Sequence, residues 1–180
     1  MEDEYIRIAG TVEESIVDGP GLRYVIFTQG CPHNCEGCHN PQTHDCNAGK
    51  LVKIDTLIEK INSNPLINGV TLSGGEPFLQ ARKLSKLVDK LDRNKLDIMA
   101  YTGFEYENLM RLSNPINGFD ELIGKLDVLI DGKFDKTKKD ELLMFRGSSN
   151  QRVIDCKKSV ATGEIFEVEV NNEGDISFNW

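Results

Sequence analysis

The stretch Cys31-Pro32-His33-Asn34-Cys35-Glu36-Gly37-Cys38-His39-Asn40 constrains this chain more than any other. Three cysteines at C-x3-C-x2-C spacing share one short polar loop, directly after the apolar run Tyr24-Val25-Ile26-Phe27. Thiolates this close in sequence can converge on one iron–sulfur cube, which ordinarily takes four cysteine ligands. If no fourth cysteine joins, one iron stays open to an outside ligand, much as a catalytic zinc site keeps an open position. Structural zinc is the second reading, with His33 and His39 completing the ligand set, although zinc motifs usually pair C-x2-C units or a C-x-x-C with two histidines. Disulfides fit less well. The chain has five cysteines, an odd number, and shows no signal peptide, so a reducing cytoplasm is the expected setting.

A length of 180 residues suits a single domain, 1–180, with a sizeable hydrophobic core. No apolar run approaches the ~20 residues of a membrane span, so no membrane partner is expected. With 21 basic against 29 acidic residues the net charge is −8, which argues against a broad nucleic-acid platform and leaves a protein partner open.

Turn signals and periodicity divide the chain into alternating elements. Residues 1–14 read as a short first strand or a mobile start, and 22–28 as a buried strand delivering the cysteine loop. Helical spacing covers 51–62, with Leu57, Ile58 and Ile61 on one face, and 78–93, with Leu84, Leu87, Val88 and Leu91. Further strands are expected at 69–72, 96–101, 126–130 and 152–155. Shorter helices are expected at 105–112, 119–125 and 136–145. Segment 164–170 alternates like an edge strand, and Phe178 and Trp180 in the tail 164–180 read as a cap on the core edge. Strands alternating with helices imply an α/β fold with a mostly parallel sheet. About five or six strands are too few for a full (β/α)8 barrel of ~250 residues, so a partial, open TIM-type barrel is the expected architecture.

A second constellation, Ser73-Gly74-Gly75-Glu76-Pro77, follows a predicted strand. Paired glycines let a backbone approach a ligand without Cβ obstruction, and a neighbouring carboxylate can bind an ammonium group. The plainer reading is a strand–helix turn whose Glu and Pro open the next helix. Of the remaining candidates, Cys46 and Cys156 read as a spectator thiol and a packing residue, and His44 as solvated loop.

The two motifs together resemble the radical S-adenosylmethionine (SAM) superfamily, since the ferredoxin run has C-x2-C-x2-C spacing and a fourth cysteine. Ser15-Ile16-Val17-Asp18-Gly19-Pro20-Gly21-Leu22-Arg23 and Cys35-Glu36-Gly37-Cys38-His39-Asn40-Pro41 resemble signatures of glycyl-radical-enzyme activases. Tyr101-Thr102-Gly103, Asp131-Gly132-Lys133-Phe134 and 146–152 resemble segments of one branch, the activating proteins of anaerobic (class III) ribonucleoside-triphosphate reductase. The resemblance implies a 4Fe-4S cluster on Cys31, Cys35 and Cys38, with SAM on the open iron. Gly37, His39, Ser73, Gly74, Gly75, Glu76 and Asp131 are then the expected cofactor-binding residues. An aromatic often precedes the third cysteine in such loops, and Gly37 stands there instead, so His39 or the backbone is expected to meet the adenine. The implied partners are the reductase, as protein substrate, and a flavodoxin- or ferredoxin-type electron donor. Asp131-Gly132 is also an ordinary turn. Two alternatives remain: a small-molecule radical SAM enzyme of the deazapurine synthase type, and a non-catalytic iron–sulfur or zinc-binding module.

Overall fold

The computed structural model describes residues 4–171 and 173–176. Its strands are β1 (Tyr5–Ser15), β2 (Arg23–Thr28), β3 (Lys50–Lys53), β4 (Gly69–Gly74), β5 (Asp97–Tyr101), β6 (Val128–Asp131) and β7 (Arg152–Asp155). The helices are α1 (Ile54–Ser63), α2 (Ala81–Asp89), α3 (Tyr106–Leu112), α4 (Phe119–Ile123) and α5 (Cys156–Thr162). The strands form one seven-stranded sheet in the order β3-β1-β2-β4-β5-β6-β7. Its centre is parallel, β2 to β4 to β5 to β6. Both flanks are antiparallel: β1 pairs with β2 and β3 on one side, and β7 pairs with β6 on the other.

The central strands read as nearly unbroken apolar runs because helices or loops cover both faces, the usual condition of a parallel sheet. Tyr24, Val25 and Ile26 are all buried, as are Val70, Leu72, Ile98, Met99, Leu129 and Ile130. The larger core forms where α1 and α2 lay Leu57, Ile61, Leu84 and Leu87 against one face. Those positions recur at helical spacing, so one stripe of each helix is apolar and the rest faces water. A smaller cluster on the other face joins Met99, Val128, Ile130, Val153 and Ile176, with Phe145, Val168 and Val170 packed against it.

Several expectations are corrected. The sheet has seven strands where five or six were expected, and it is open, ending at β3 and β7: a mixed sheet with a parallel centre. β1 is an 11-residue strand, longer than the short start expected. Residues 50–53, expected to lie largely within a helix, instead pair with Tyr5–Ile8 before α1 begins at Ile54. The expected helix at 78–93 is a 3-10 turn, Pro77–Gln80, followed by α2. At 136–145 the only helical piece is the short 3-10 helix Lys136–Lys138, and turns follow it. Beyond it the Asp140 amide donates to Gly147 O at 3.3 Å, folding the segment back on itself in place of a helix. The stretch 164–170 is not a regular strand: one bridge, Glu167 to Ile154, joins it to β7, and a second pairs Val170 with Ile176. Cys156 opens α5 and is fully buried, in keeping with packing. Phe178 and Trp180 lie outside the described residues.

Candidate iron–sulfur site

The site stands at the carboxyl ends of the four parallel strands, where open α/β sheets place their ligands. Cys31 follows β2, Ser73 to Gly75 end β4, Tyr101 to Gly103 end β5, and Gly132 follows β6; all of them line one cavity of about 380 Å³. Cys35 and Cys38 line it too, as do Gly37's neighbours His39 and Asn40, and Phe134, Phe145 and Arg146 wall the far side. One cavity thus gathers residues whose sequence positions span most of the chain.

Backbone bonds set the cysteine loop. Gly30 N–H donates to Thr43 O at 2.8 Å and Cys31 N–H to His44 O at 3.2 Å, stitching the return of the loop to its start. Cys38 N–H donates to Cys35 O at 3.2 Å, and Asn40 N–H to the Cys38 sulfur at 3.4 Å. Asn34 takes the left-handed conformation at φ 48°, which asparagine tolerates better than most residues. Burial pushes the Cys31 thiol up, and nearby Glu76 and Cys35 add to the rise. The His33 and Asn34 amides facing that sulfur work against them. Binding a metal there must therefore displace a proton.

Gly37 takes the left-handed conformation at φ 76°, which favours glycine, and a Cβ added to it would sit in ordinary contact, 3.4 Å, with the Phe134 ring. Phe134 also packs 5.5 Å, centroid to centroid, from His39. The segment after β6 therefore supplies an aromatic ring beside the third cysteine, a contribution that reading residues near the cysteines missed. Tyr101, also in the wall, has its hydroxyl pushed well above the ordinary tyrosine range by burial, with Asp18 adding and Arg23 opposing. It faces the cavity as a neutral phenol.

The glycines after β4 hold two strand ends together. Gly75 N–H donates to Thr28 O at 2.8 Å and Glu76 N–H to Gly30 O at 2.7 Å. The Glu76 carboxylate is fully buried and is not among the groups lining the cavity. It accepts from Phe78 N–H at 3.0 Å, Gly103 N–H at 2.9 Å, the Thr102 hydroxyl at 2.9 Å and the His33 imidazole at 2.6 Å. Asp131, likewise buried, accepts from Tyr106 N–H at 2.8 Å and from Arg152 Nε at 3.0 Å. Both carboxylates brace strand-end loops from behind. Ser73, Gly74, Gly75 and His39, by contrast, line the same cavity as the three cysteines. Cys46 is exposed, and its sulfur lies 3.2 Å from where a Gly30 Cβ would be, beside the loop but outside the cavity lining.

The donor set fits a cluster better than a single ion. Among the described residues no three His, Cys, Asp or Glu side chains are close enough to hold one metal ion. Structural zinc needs four ligands at about 2.0–2.3 Å from one point. A cube carries its cysteine ligands on its corners, so three thiols spread around one cavity suit it. The cavity wall also offers a buried Arg146 Nε with no partner among the described residues, a donor suited to an anionic group of a bound molecule.

Three cysteines on a loop at the carboxyl edge of a parallel sheet, facing a shared cavity, define a single-cluster iron–sulfur protein. A family model described as a 4Fe-4S single cluster domain matches residues 17–154. An anaerobic ribonucleoside-triphosphate reductase-activating protein of Enterobacteria phage T4 is 38% identical over 146 residues, covering 76% of this chain and 86% of the relative. A protein of the same name from Escherichia coli is 34% identical over 146 residues, 77% of this chain and 91% of that one. The chain belongs to the family of anaerobic ribonucleoside-triphosphate reductase-activating proteins. Among solved structures, one described as QueE from Escherichia coli aligns with a TM-score of 0.43 at 20% identity, over 55% of this chain and 53% of its own. Among the described residues no helix is long and apolar enough to cross a membrane.

Proposed function

We propose that this chain is a radical SAM activase whose target is an anaerobic ribonucleoside-triphosphate reductase, working as one domain. The observation that carries the reading is the meeting of Cys31, Cys35 and Cys38 with Ser73, Gly74 and Gly75 in one cavity of a chain from this family. The open sheet then corresponds to an arc of a (β/α) barrel with the chemistry at its carboxyl rim. When bound and reduced, the cluster supplies the electron that splits SAM into methionine and a 5′-deoxyadenosyl radical, which takes a hydrogen atom from a glycine of the reductase.

The chain's own part is position and exclusion of water. Cys31, Cys35 and Cys38 hold three irons and leave one for SAM. Ser73, Gly74 and Gly75 face the methionine end, and Arg146 Nε supports its carboxylate. His39 and the Gly37 backbone border the adenosine end, beside Phe134. Glu76 and Asp131 serve from below by fixing the loops that form the cavity. The phenol of Tyr101 stays protonated across the working pH range and adds no charge to the wall. A flavodoxin- or ferredoxin-type protein is the electron donor.

The test is anaerobic. The chain is loaded with iron and sulfide, reduced, and given SAM with and without a class III reductase. 5′-Deoxyadenosine together with a glycyl radical EPR signal on the reductase is the expected result, and Cys35→Ala should lose both. A loaded, reduced chain that leaves SAM intact would end the proposal.

A further inference from the structure

The sequence predicts a solvated loop at His44, and the structure corrects this. The residue is half-buried and lines the cavity of the three cysteines. Its Nε2 is buried and has no hydrogen-bond partner among the described residues. Buried polar atoms are nearly always paired, so one left alone calls for an explanation, such as a bound group that completes it. Of the four such side-chain atoms among the described residues, two belong to this cavity wall, on His44 and Arg146. Arg146 has been given a role above; His44 has not.

The turn that carries His44 is fixed in place. Pro41–Thr43 form a short 3-10 helix, closed by His44 N–H donating to Pro41 O at 3.3 Å. The buried Gln29 side chain donates to Gln42 O at 3.1 Å and to Asp45 O at 2.8 Å, tying both flanks of the turn to the end of β2. The His44 carbonyl accepts Cys31 N–H, and the Thr43 carbonyl lies 3.1 Å from where a Gly75 Cβ would be. His44 therefore stands where the first cysteine meets the glycine pair, at the methionine end of the site.

That end needs a side-chain acceptor that Glu76 does not supply. A carboxylate offers about four lone-pair sites. In Glu76 they are taken by Phe78 N–H, Gly103 N–H, the Thr102 hydroxyl and the His33 imidazole, and the group lies outside the cavity lining. A neutral imidazole nitrogen accepts a hydrogen bond when the proton sits on the other ring nitrogen. We propose that His44 is a SAM-binding residue whose Nε2 accepts a hydrogen bond from the amino group of the methionine end, the part the motif suggests for Glu76. The inference rests on the function proposed above and deepens it by naming a contact of the same site.

The experiment measures SAM binding and not turnover. The chain is loaded anaerobically with iron and sulfide and kept oxidised, iron is counted per chain, and the dissociation constant for SAM is read by equilibrium dialysis. His44→Phe, a ring without an acceptor, is expected to bind SAM about tenfold more weakly at an unchanged iron count. His44→Gln, whose side-chain carbonyl can accept, should return to within about threefold of wild type. His44→Lys, a donor with no acceptor, should bind no better than His44→Phe. A loaded His44→Phe chain with wild-type affinity overturns the assignment. So does a loss that His44→Gln fails to restore, because it would mark a role in cavity shape. Tighter binding by His44→Lys than by His44→Phe would put a carboxylate beside residue 44 and overturn it as well. Should His44→Phe fail to hold iron, His44→Leu takes its place, and iron lost from both would set His44 at the cluster and end the proposal. A wild-type chain that takes up no cluster, or binds no SAM once loaded, counts against the function proposed above and not against this contact.

Discussion

Gly75 shows how tightly single residues constrain the site. A Cβ there would lie 2.3 Å from Gly30 O, the carbonyl that accepts Glu76 N–H. Backbone cannot swing aside as a flexible side chain can, so Gly75→Ala must push the ends of β2 and β4 apart. Overpacking of this kind typically costs about 1–3 kcal/mol. Gly75→Ala is therefore expected to lower the urea midpoint and also the iron retained after loading. A variant with wild-type values of both would show that the strand ends tolerate separation. The glycine pair was legible in the sequence as a place where something approaches closely. That the partner includes the main chain after β2 was not legible, because spacing alone does not say which neighbour arrives. Glu76 followed the same course: its place in the motif was visible, but its burial depends on Thr102, Gly103 and His33, none of them adjacent in sequence. His33 was legible only as a candidate zinc ligand between two cysteines, and its bond to Glu76 was not.

At the scale of elements, the sheet is fastened at the end opposite the site. Asp127, just before β6, accepts Ile98 N–H of β5 at 2.7 Å, pairs with Arg93 at 2.6 Å and also contacts Lys157 of α5. Burial pushes its carboxyl up, but the bonds from Lys157 and Ile98 and the charge of Arg93 outweigh it, leaving the group below its ordinary value of 3.8. A carboxyl depressed in the folded state stabilises the fold above its unfolded value, and that contribution is lost as pH falls through the folded value. Asp127→Asn should therefore be less stable than wild type by about 1–3 kcal/mol near neutral pH. The gap should close as pH falls below 3.8, the carboxyl's ordinary value. Urea denaturation across pH measures it; a gap constant down to pH ~2.5 would place the effect elsewhere. Elements with a buried stripe, such as α1, α2 and the parallel strands, were legible from periodicity. β3 was not, since three of its four residues are exposed and only pairing with distant β1 makes it a strand. The 136–145 segment misled for the converse reason: its charged residues suit a helix, but it has no apolar stripe to bury.

The whole molecule separates these two tasks, with the fastening at the amino ends of the parallel strands and the chemistry at their carboxyl ends. The cavity is also assembled from two distant parts of the chain, the cysteine loop and the 132–147 segment. They meet through Phe134 against Gly37 and His39, and Gly147 in turn leaves room for the Phe134 ring, since a Cβ there would lie 2.9 Å from it. The exposed Glu36–Lys136 pair at 2.8 Å adds little to that union, because surface ion pairs contribute about 0–1 kcal/mol. Packing therefore has to carry the coupling. Loading the cluster fixes 31–40 directly, and whatever fixes that loop also restrains the wall packed on it. Ligand binding to the folded state alone suppresses local opening in proportion to the binding energy. Amide exchange should accordingly slow in 31–40 and, by about tenfold, in 132–147, which contributes no ligand to the cluster, while α1 and α2 exchange as before. Removing the iron with a chelator under reducing, anaerobic conditions should restore the faster rates. Protection confined to 31–40 would mean that the far wall closes independently of the cluster. Protection spread evenly over the sheet would mean that the metal stabilises the fold as a whole and not the union of these two segments.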